Sequence, residues 1–189
     1  MANAPEIVIE PGMGTLELFR LDASEETLFA LLSDVFENYW RVIHFGPLIQ
    51  GAAWEIRAPN APKKISLYDG YVTVEFGSWH FHLCIGDTKG PPANPTRPEL
   101  AAHRRAARAE LYRQLKDDGT PNSWGLRLFN GKGEQQITVF LPSPFLSDDL
   151  EPLPSPDWSR LAMWDALRKT YLKLDPDSKD RTGTRFVHD

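Results

Sequence analysis

The chain has 189 residues, 41% hydrophobic and 25% charged, with a formal net charge of −5 at neutral pH. That is length and apolar content enough for one domain with its own core. An acidic balance with no long lysine or arginine run excludes a large phosphate-binding face, so nucleic acid is not an expected partner. A single cysteine forms no internal disulfide. No apolar run approaches the ~20 residues of a membrane span, and MANAPEIVIEPGMG has no signal-peptide pattern. The expected location is cytoplasmic, with no membrane partner.

In chain order, residues 1–21 read as extended, with TLELFRL alternating as a short strand. Asp22-Ala-Ser-Glu25 has the form of a capping box. Leu28, Leu31, Leu32, Val35 and Phe36 follow at helical spacing, which predicts a helix to about Tyr39 or Trp40. The middle reads as antiparallel sheet. Ala52–Arg57 is a candidate strand, and Ile65–Tyr68 and Tyr71–Phe76 flank Asp69-Gly70, a strong hairpin signal. Trp79–Ile85 then resumes the alternation. DTKGPPANP excludes regular structure. Thr96-Arg-Pro-Glu99 predicts the cap of a second helix, reaching Leu115 or Lys116. Trp124–Phe129 and Gln135–Leu141 flank Asn130-Gly-Lys-Gly133, a further hairpin. Ser155-Pro156 predicts the start of a third helix whose buried stripe is Leu161, Trp164, Leu167 and Tyr171.

These elements predict an α+β fold, an antiparallel sheet of about five strands with about three helices packed mainly on one face. Residues 1–174 are expected to form a single domain and 175–189 a flexible polar tail, with Phe186-Val-His a segment able to dock.

The stretch most suggestive of chemistry is GSWHFHLCIG, residues 77–86, which holds two of the five histidines and the only cysteine. Side chains alternate along a strand. His80, His82 and Cys84 therefore share one face, and Trp79, Phe81, Leu83 and Ile85 share the other, which reads as core. Residues two apart on one face lie roughly 6.5–7 Å apart at the backbone, close enough for two imidazoles to meet one ion. On the expected second helix, Glu99 and His103 are four apart and share a face. His103 also lies near Leu100, Ala107 and Leu111. If that stripe packs on the sheet, His80, His82 and His103 converge, with Glu99 or Cys84 as a further ligand. Such a set suits zinc or non-haem iron.

Each residue also has a plainer reading. The His-x-His pair can be the polar side of a half-buried strand, Cys84 a small buried hydrophobe, Glu99 a capping partner and His103 a hydrogen-bonded interface residue. Arg127 is either solvated or, on a covered face, paired with an acidic group or an anionic ligand. His44 reads equally as a ligand or a helix-terminal charge, and His188 as exposed.

HFHLCIG resembles the histidine triad signature, His-x-His-x-His. That resemblance implies His82 as a nucleophile on phosphorus, supported by His80, in nucleotidyl or phosphoryl transfer; Cys84 at the third position departs from the pattern. The pair also resembles the first cupin motif, but no glutamate stands at Ile85 to Asp87. The wider pattern, HFHLCIG followed by RAELYR and SWGLRLFNGKGEQQITVFLPSPF within residues 65–146, is similar to a bacterial family of uncharacterised small proteins, which implies no reaction.

Three functions remain open from sequence. The first is a histidine-lined pocket holding a divalent metal, zinc or iron, or a small anionic ligand bound with Arg127. The second is a metal-free binding module, and the third a histidine-triad-like transferase. A small molecule is the expected partner; the oligomeric state and the question of catalysis stay open.

Overall fold

The computed structural model describes residues 5–49 and 51–187; His188 lies outside them. The elements in chain order are β1 (Glu6–Glu10), β2 (Gly14–Leu21), α1 (Glu25–Asn38), β3 (His44–Gly46), β4 (Leu48–Ile49), β5 (Ala52–Ala53), β6 (Lys64–Tyr68), β7 (Tyr71–Glu75), β8 (His80–Cys84), α2 (Pro98–Arg104), β9 (Ala106–Leu115), β10 (Pro121–Asn130), β11 (Gln135–Phe140) and α3 (Ala162–Leu167). A 3-10 turn, Trp158–Leu161, leads into α3, a π-turn, Arg168–Leu172, leads out, and a second 3-10 turn covers Ser178–Arg181. The fold is α+β. Its main sheet has six strands in the order β1-β2-β9-β10-β11-β3, beside a three-stranded sheet β6-β7-β8 and a two-stranded sheet β4-β5. No helix among the described residues is long and apolar enough to cross a membrane.

The chain divides into two compact units, one of residues 1–21, 110–126 and 139–189, the other of residues 22–109 and 127–138. In the second unit, Ser24 caps α1, its Oγ accepting from Thr27 N (3.3 Å), while Asp22 accepts from Ser24 N, Ser24 Oγ and Thr27 Oγ1. The expected stripe, Leu28, Leu31, Leu32, Val35 and Phe36, is wholly buried. Phe36 meets Phe45 (4.9 Å between ring centroids), Phe81 (5.2 Å) and Phe76 (6.4 Å), mostly edge to face, the arrangement favoured by the charge distribution of aromatic rings. Trp79 adds to this cluster against Phe76. Asp69 (φ 46°) and Gly70 (φ 76°) both take the left-handed conformation that a two-residue hairpin needs. Asp69 also clamps the following loop, accepting from Lys89 N (2.7 Å), Gly90 N (2.9 Å) and Thr88 Oγ1 (3.0 Å). The two backbone N–H groups hold its carboxyl below the usual range.

The second helix is far shorter than its sequence predicts. It runs only over Pro98–Arg104, is capped at Arg97 rather than Thr96, has no side-chain cap and buries no residue. Arg105 turns to an extended conformation, and Ala106–Leu115 becomes a strand. Ala109, Glu110, Leu111, Tyr112 and Arg113 are all buried, so both faces of β9 are covered. Helix propensity is a weak preference, and pairing inside a sheet overrides it. The third helix also differs: Asp157, not Ser155, caps the turn before it, accepting from Ser159 N (3.0 Å). Leu161, Trp164 and Leu167 are buried as expected, and Tyr171 is half-buried.

In the first unit the organising group is Arg113 of β9, whose side chain is 3% exposed. It bonds Glu17 of β2, Asp177 (2.9 Å) and Asp180 (2.8 Å). Glu17 also takes Lys179 Nζ (2.7 Å). On the other face of β9, Tyr112 packs with Leu16 and Leu18, and its ring lies so close over Gly125 that no Cβ would fit there. Segment 175–187, a tail by composition, thus carries a wholly buried residue, Asp180. Farther along, Asn122 exchanges two hydrogen bonds with the backbone of Val187 (2.8 and 2.9 Å).

Burial works to raise the Glu17 carboxyl, but hydrogen bonds from Lys179 and Arg113 outweigh it and leave the pKa lowered. Asp177 is likewise lowered against burial, by Lys179 N and Arg113. A depressed folded pKa gives stability that is full above the ordinary carboxyl range, about pH 4–4.5, and is lost as pH falls through the folded value.

Phe36→Ala is expected to lower the unfolding free energy by about 3–5 kcal/mol in urea titration; a loss under 1 kcal/mol would remove Phe36 from the centre of the cluster. Glu17→Gln is expected to cost about 3 kcal/mol at pH 7, because it removes the negative charge between Arg113 and Lys179 and turns an NH2 donor toward one of them. It should also flatten the fall in urea midpoint between pH 5 and pH 3, and equal slopes in the variant and the native protein would contradict the assignment.

Candidate functional site

The register of the three-stranded sheet defines the histidine face. Glu75 lies opposite His80, Thr73 opposite His82 and Tyr71 opposite Cys84. On the far side of β7, Lys64 pairs Glu75, Ser66 pairs Thr73 and Tyr68 pairs Tyr71. Directly opposite residues share a face, so this side of the sheet is polar and aromatic, and its reverse carries Val72, Val74, Phe81 and Leu83. The sorting follows from alternation: once Phe81 packs on Phe36, His80 and His82 must point the other way. Both histidines are exposed, their rings 4.8 Å apart at an interplanar angle of 71°. His82 Nδ1 shares a hydrogen bond with Thr73 Oγ1 at 2.7 Å.

Cys84 belongs to the same strand face but is buried, 5% exposed. Its thiol donates to Gly86 O at 3.5 Å. Burial pushes the thiol pKa up, with hydrogen bonding to Tyr71 and the charge of Arg104 opposing. A thiol held protonated is a poor nucleophile and a poor metal ligand.

The other expected ligands lie in different settings. His103, near the end of α2, bonds Glu134 of the β10–β11 turn (Nε2 to Oε2, 2.8 Å). Hydrogen bonds from Asn130 and then His103 hold the Glu134 carboxyl below its usual range. Glu99 is exposed in the first turn of α2, where Arg97 rather than Thr96 is the cap, so it completes no capping box. Among the described residues, no group of three or more histidine, cysteine, aspartate or glutamate side chains is placed to hold a metal ion. What the face brings together is the pair His80 and His82. His44 opens β3 and is half-buried.

Arg127 is on a covered face rather than a solvated one, at 2% exposure. Its guanidinium lies 5.1 Å from the Phe129 ring centroid, and that of Arg108 lies 3.6 Å over the same ring. Gln135 and Gln136 project to opposite faces of their strand in the sequence, either one a candidate to join Arg127 on an anion, and Gln136 is engaged with backbone carbonyls. Its Nε2 donates to Arg104 O (2.8 Å) and Cys84 O (3.2 Å), tying the ends of α2 and β8 to β11. Alternation in Gln135–Leu141 assigns it a face but no partner.

An α+β chain with an open, polar, histidine-bearing sheet face is the class these observations define. The chain belongs to the family DUF7676, a family of unknown function, whose model it matches over residues 5–173. Among curated proteins none matches it.

The setting of Cys84 predicts a masked thiol. The native protein should react with a disulfide reagent at pH 8 more than about tenfold slower than in urea, where one thiol per chain is released. Equal rates would mean that the thiol is open to solvent.

Proposed function

We propose that this protein is a binding module whose recognition surface is the exposed polar face of β6–β8, and that His80 and His82 on it take a divalent transition metal ion such as zinc. The single observation that carries the reading is the exposed pair of imidazoles, 4.8 Å apart, on one strand face. The Thr73 contact supports it. When His82 Nδ1–H donates to Thr73 Oγ1, the Nε2 lone pair faces outward, the tautomer a metal-binding histidine needs. Two imidazoles are half of the four ligands that zinc takes. The remaining positions stay open to water or to an anionic ligand, which joins the metal and small-anion expectations in one site. His103, engaged with Glu134, plays no part in this pair, and neither does the protonated thiol of Cys84.

Zinc titration of untagged protein, followed by calorimetry and by the histidine ring resonances, is the test. One ion per chain is expected, with shifts confined to His80 and His82. His82→Ala should abolish binding and His103→Ala should leave it intact. Unmoved His80 and His82 resonances, or equal binding by His82→Ala, would overturn the reading.

A further inference from the structure

The Asp180 carboxylate is wholly buried, and each of its oxygens accepts two N–H bonds. Oδ1 takes Arg113 Nη1 (2.8 Å) and Trp124 Nε1 (2.9 Å). Oδ2 takes Trp164 Nε1 (2.8 Å) and Arg168 Nη1 (3.4 Å). Indole and guanidinium groups donate and never accept. These four side chains therefore cannot satisfy one another, and together they call for an anion with two oxygens in one plane. Asp180 does not complete the match. Its bond to Arg168 is the long one, and Arg168 Nε is buried with no hydrogen-bond partner among the described residues, although the residue is only 4% exposed. Burial lowers the Arg168 pKa, the charge of Asp180 opposing.

Donors and occupant come from different parts of the chain. Arg113 and Trp124 stand on β9 and β10, Trp164 on α3 and Arg168 on the π-turn after it. All four lie within the region matched by the family, residues 5–173, and Asp180 lies beyond it.

We propose that Arg113, Trp124, Trp164 and Arg168 form a carboxylate-recognition site that the chain's own Asp180 fills in cis, and that a small monocarboxylate of formate or acetate size takes its place when the aspartate side chain is withdrawn. The 3-10 turn Ser178–Arg181 then acts as an autoinhibitory plug. It is pinned by Lys179 on Glu17 (2.7 Å) and by Arg181 on Asp165 (2.5 Å). A tethered occupant acts at an effective concentration of roughly millimolar or more, so free carboxylate competes poorly while Asp180 is present. Removing the Asp180 side chain removes that competition. Arg113 keeps Glu17 and Asp177, so the exposed need falls chiefly on Arg168.

The test is thermal unfolding of Asp180→Ala in sodium acetate against sodium chloride at equal ionic strength. In chloride the variant should melt about 10 °C below the native protein, because a buried guanidinium has lost its counter-charge. Acetate should restore most of that loss along a saturable curve, while leaving the native protein and the double variant Asp180→Ala/Arg168→Met unmoved. If Asp180→Ala does not fold in chloride, its refolding yield from urea in the two salts is read on the same terms. Equal behaviour in acetate and chloride overturns the proposal, and so does an acetate effect of the same size in all three proteins, which would be a general salt effect on burial.

Discussion

A guanidinium cannot lose its proton to escape burial. Once β9 carries Arg113 into the interior of its unit, anionic groups have to follow it there. Glu17 comes from the neighbouring strand and Asp177 and Asp180 from the far end of the chain. The last two explain why a segment with little apolar content is held at all. Its attachment is electrostatic and hydrogen-bonded, through Asp180 on two arginines and two indoles, Lys179 on Glu17, and Val187 on Asn122. Partial removal of such a network is costly, because a missing carboxylate leaves a buried cation short of counter-charge. The lowered pKa values of Glu17 and Asp177 are the same fact seen from the acids.

The other unit is held differently. Phe36, Phe45, Phe76, Trp79 and Phe81 make a core of aromatic rings beneath α1 and the β6–β8 sheet. Apolar burial is non-directional, and edge-to-face contacts add to it. On the opposite side of the three strands, Cys84 is buried while His80 and His82 stay exposed. That side is where the molecule presents imidazole, hydroxyl and carboxylate groups to water.

Local patterns in the sequence were legible where one period ran undisturbed. The α1 stripe repeats every three or four residues and is buried as spaced. Asp69-Gly70 closes the hairpin it suggests, since few dipeptides tolerate positive φ at both positions, and the Asn130–Gly133 turn closes the other with positive φ at Gly133. The stretch after Arg105 misled because Ala, Glu, Leu, Arg and Gln are all good helix formers, while Ala109, Leu111, Arg113 and Leu115 also fit a period of two. Nothing local tells a strand covered on both faces from a helix in such a run. The role of Asp180 was illegible for a different reason. Its partners lie 12 to 67 positions away, and a polar segment rich in aspartate has the composition of a solvated tail.

The candidate site shows how one geometric rule both makes and limits a function. Alternation on β8 brings His80 and His82 side by side, and the same alternation commits Phe81 to the core between them. The pair is therefore bound to the outer face. It gains a hydrogen-bonded hydroxyl, that of Thr73, from β7, but the strand itself offers as its next inward group only Cys84, whose thiol pKa burial raises. A ligand held here would be gripped by two protein nitrogens and remain open to solvent on its other sides. Under the proposed reading, that openness would let such a ligand exchange readily with water. The closed, donor-rich environment of the molecule lies around Asp180 instead, where four N–H groups converge on one carboxylate.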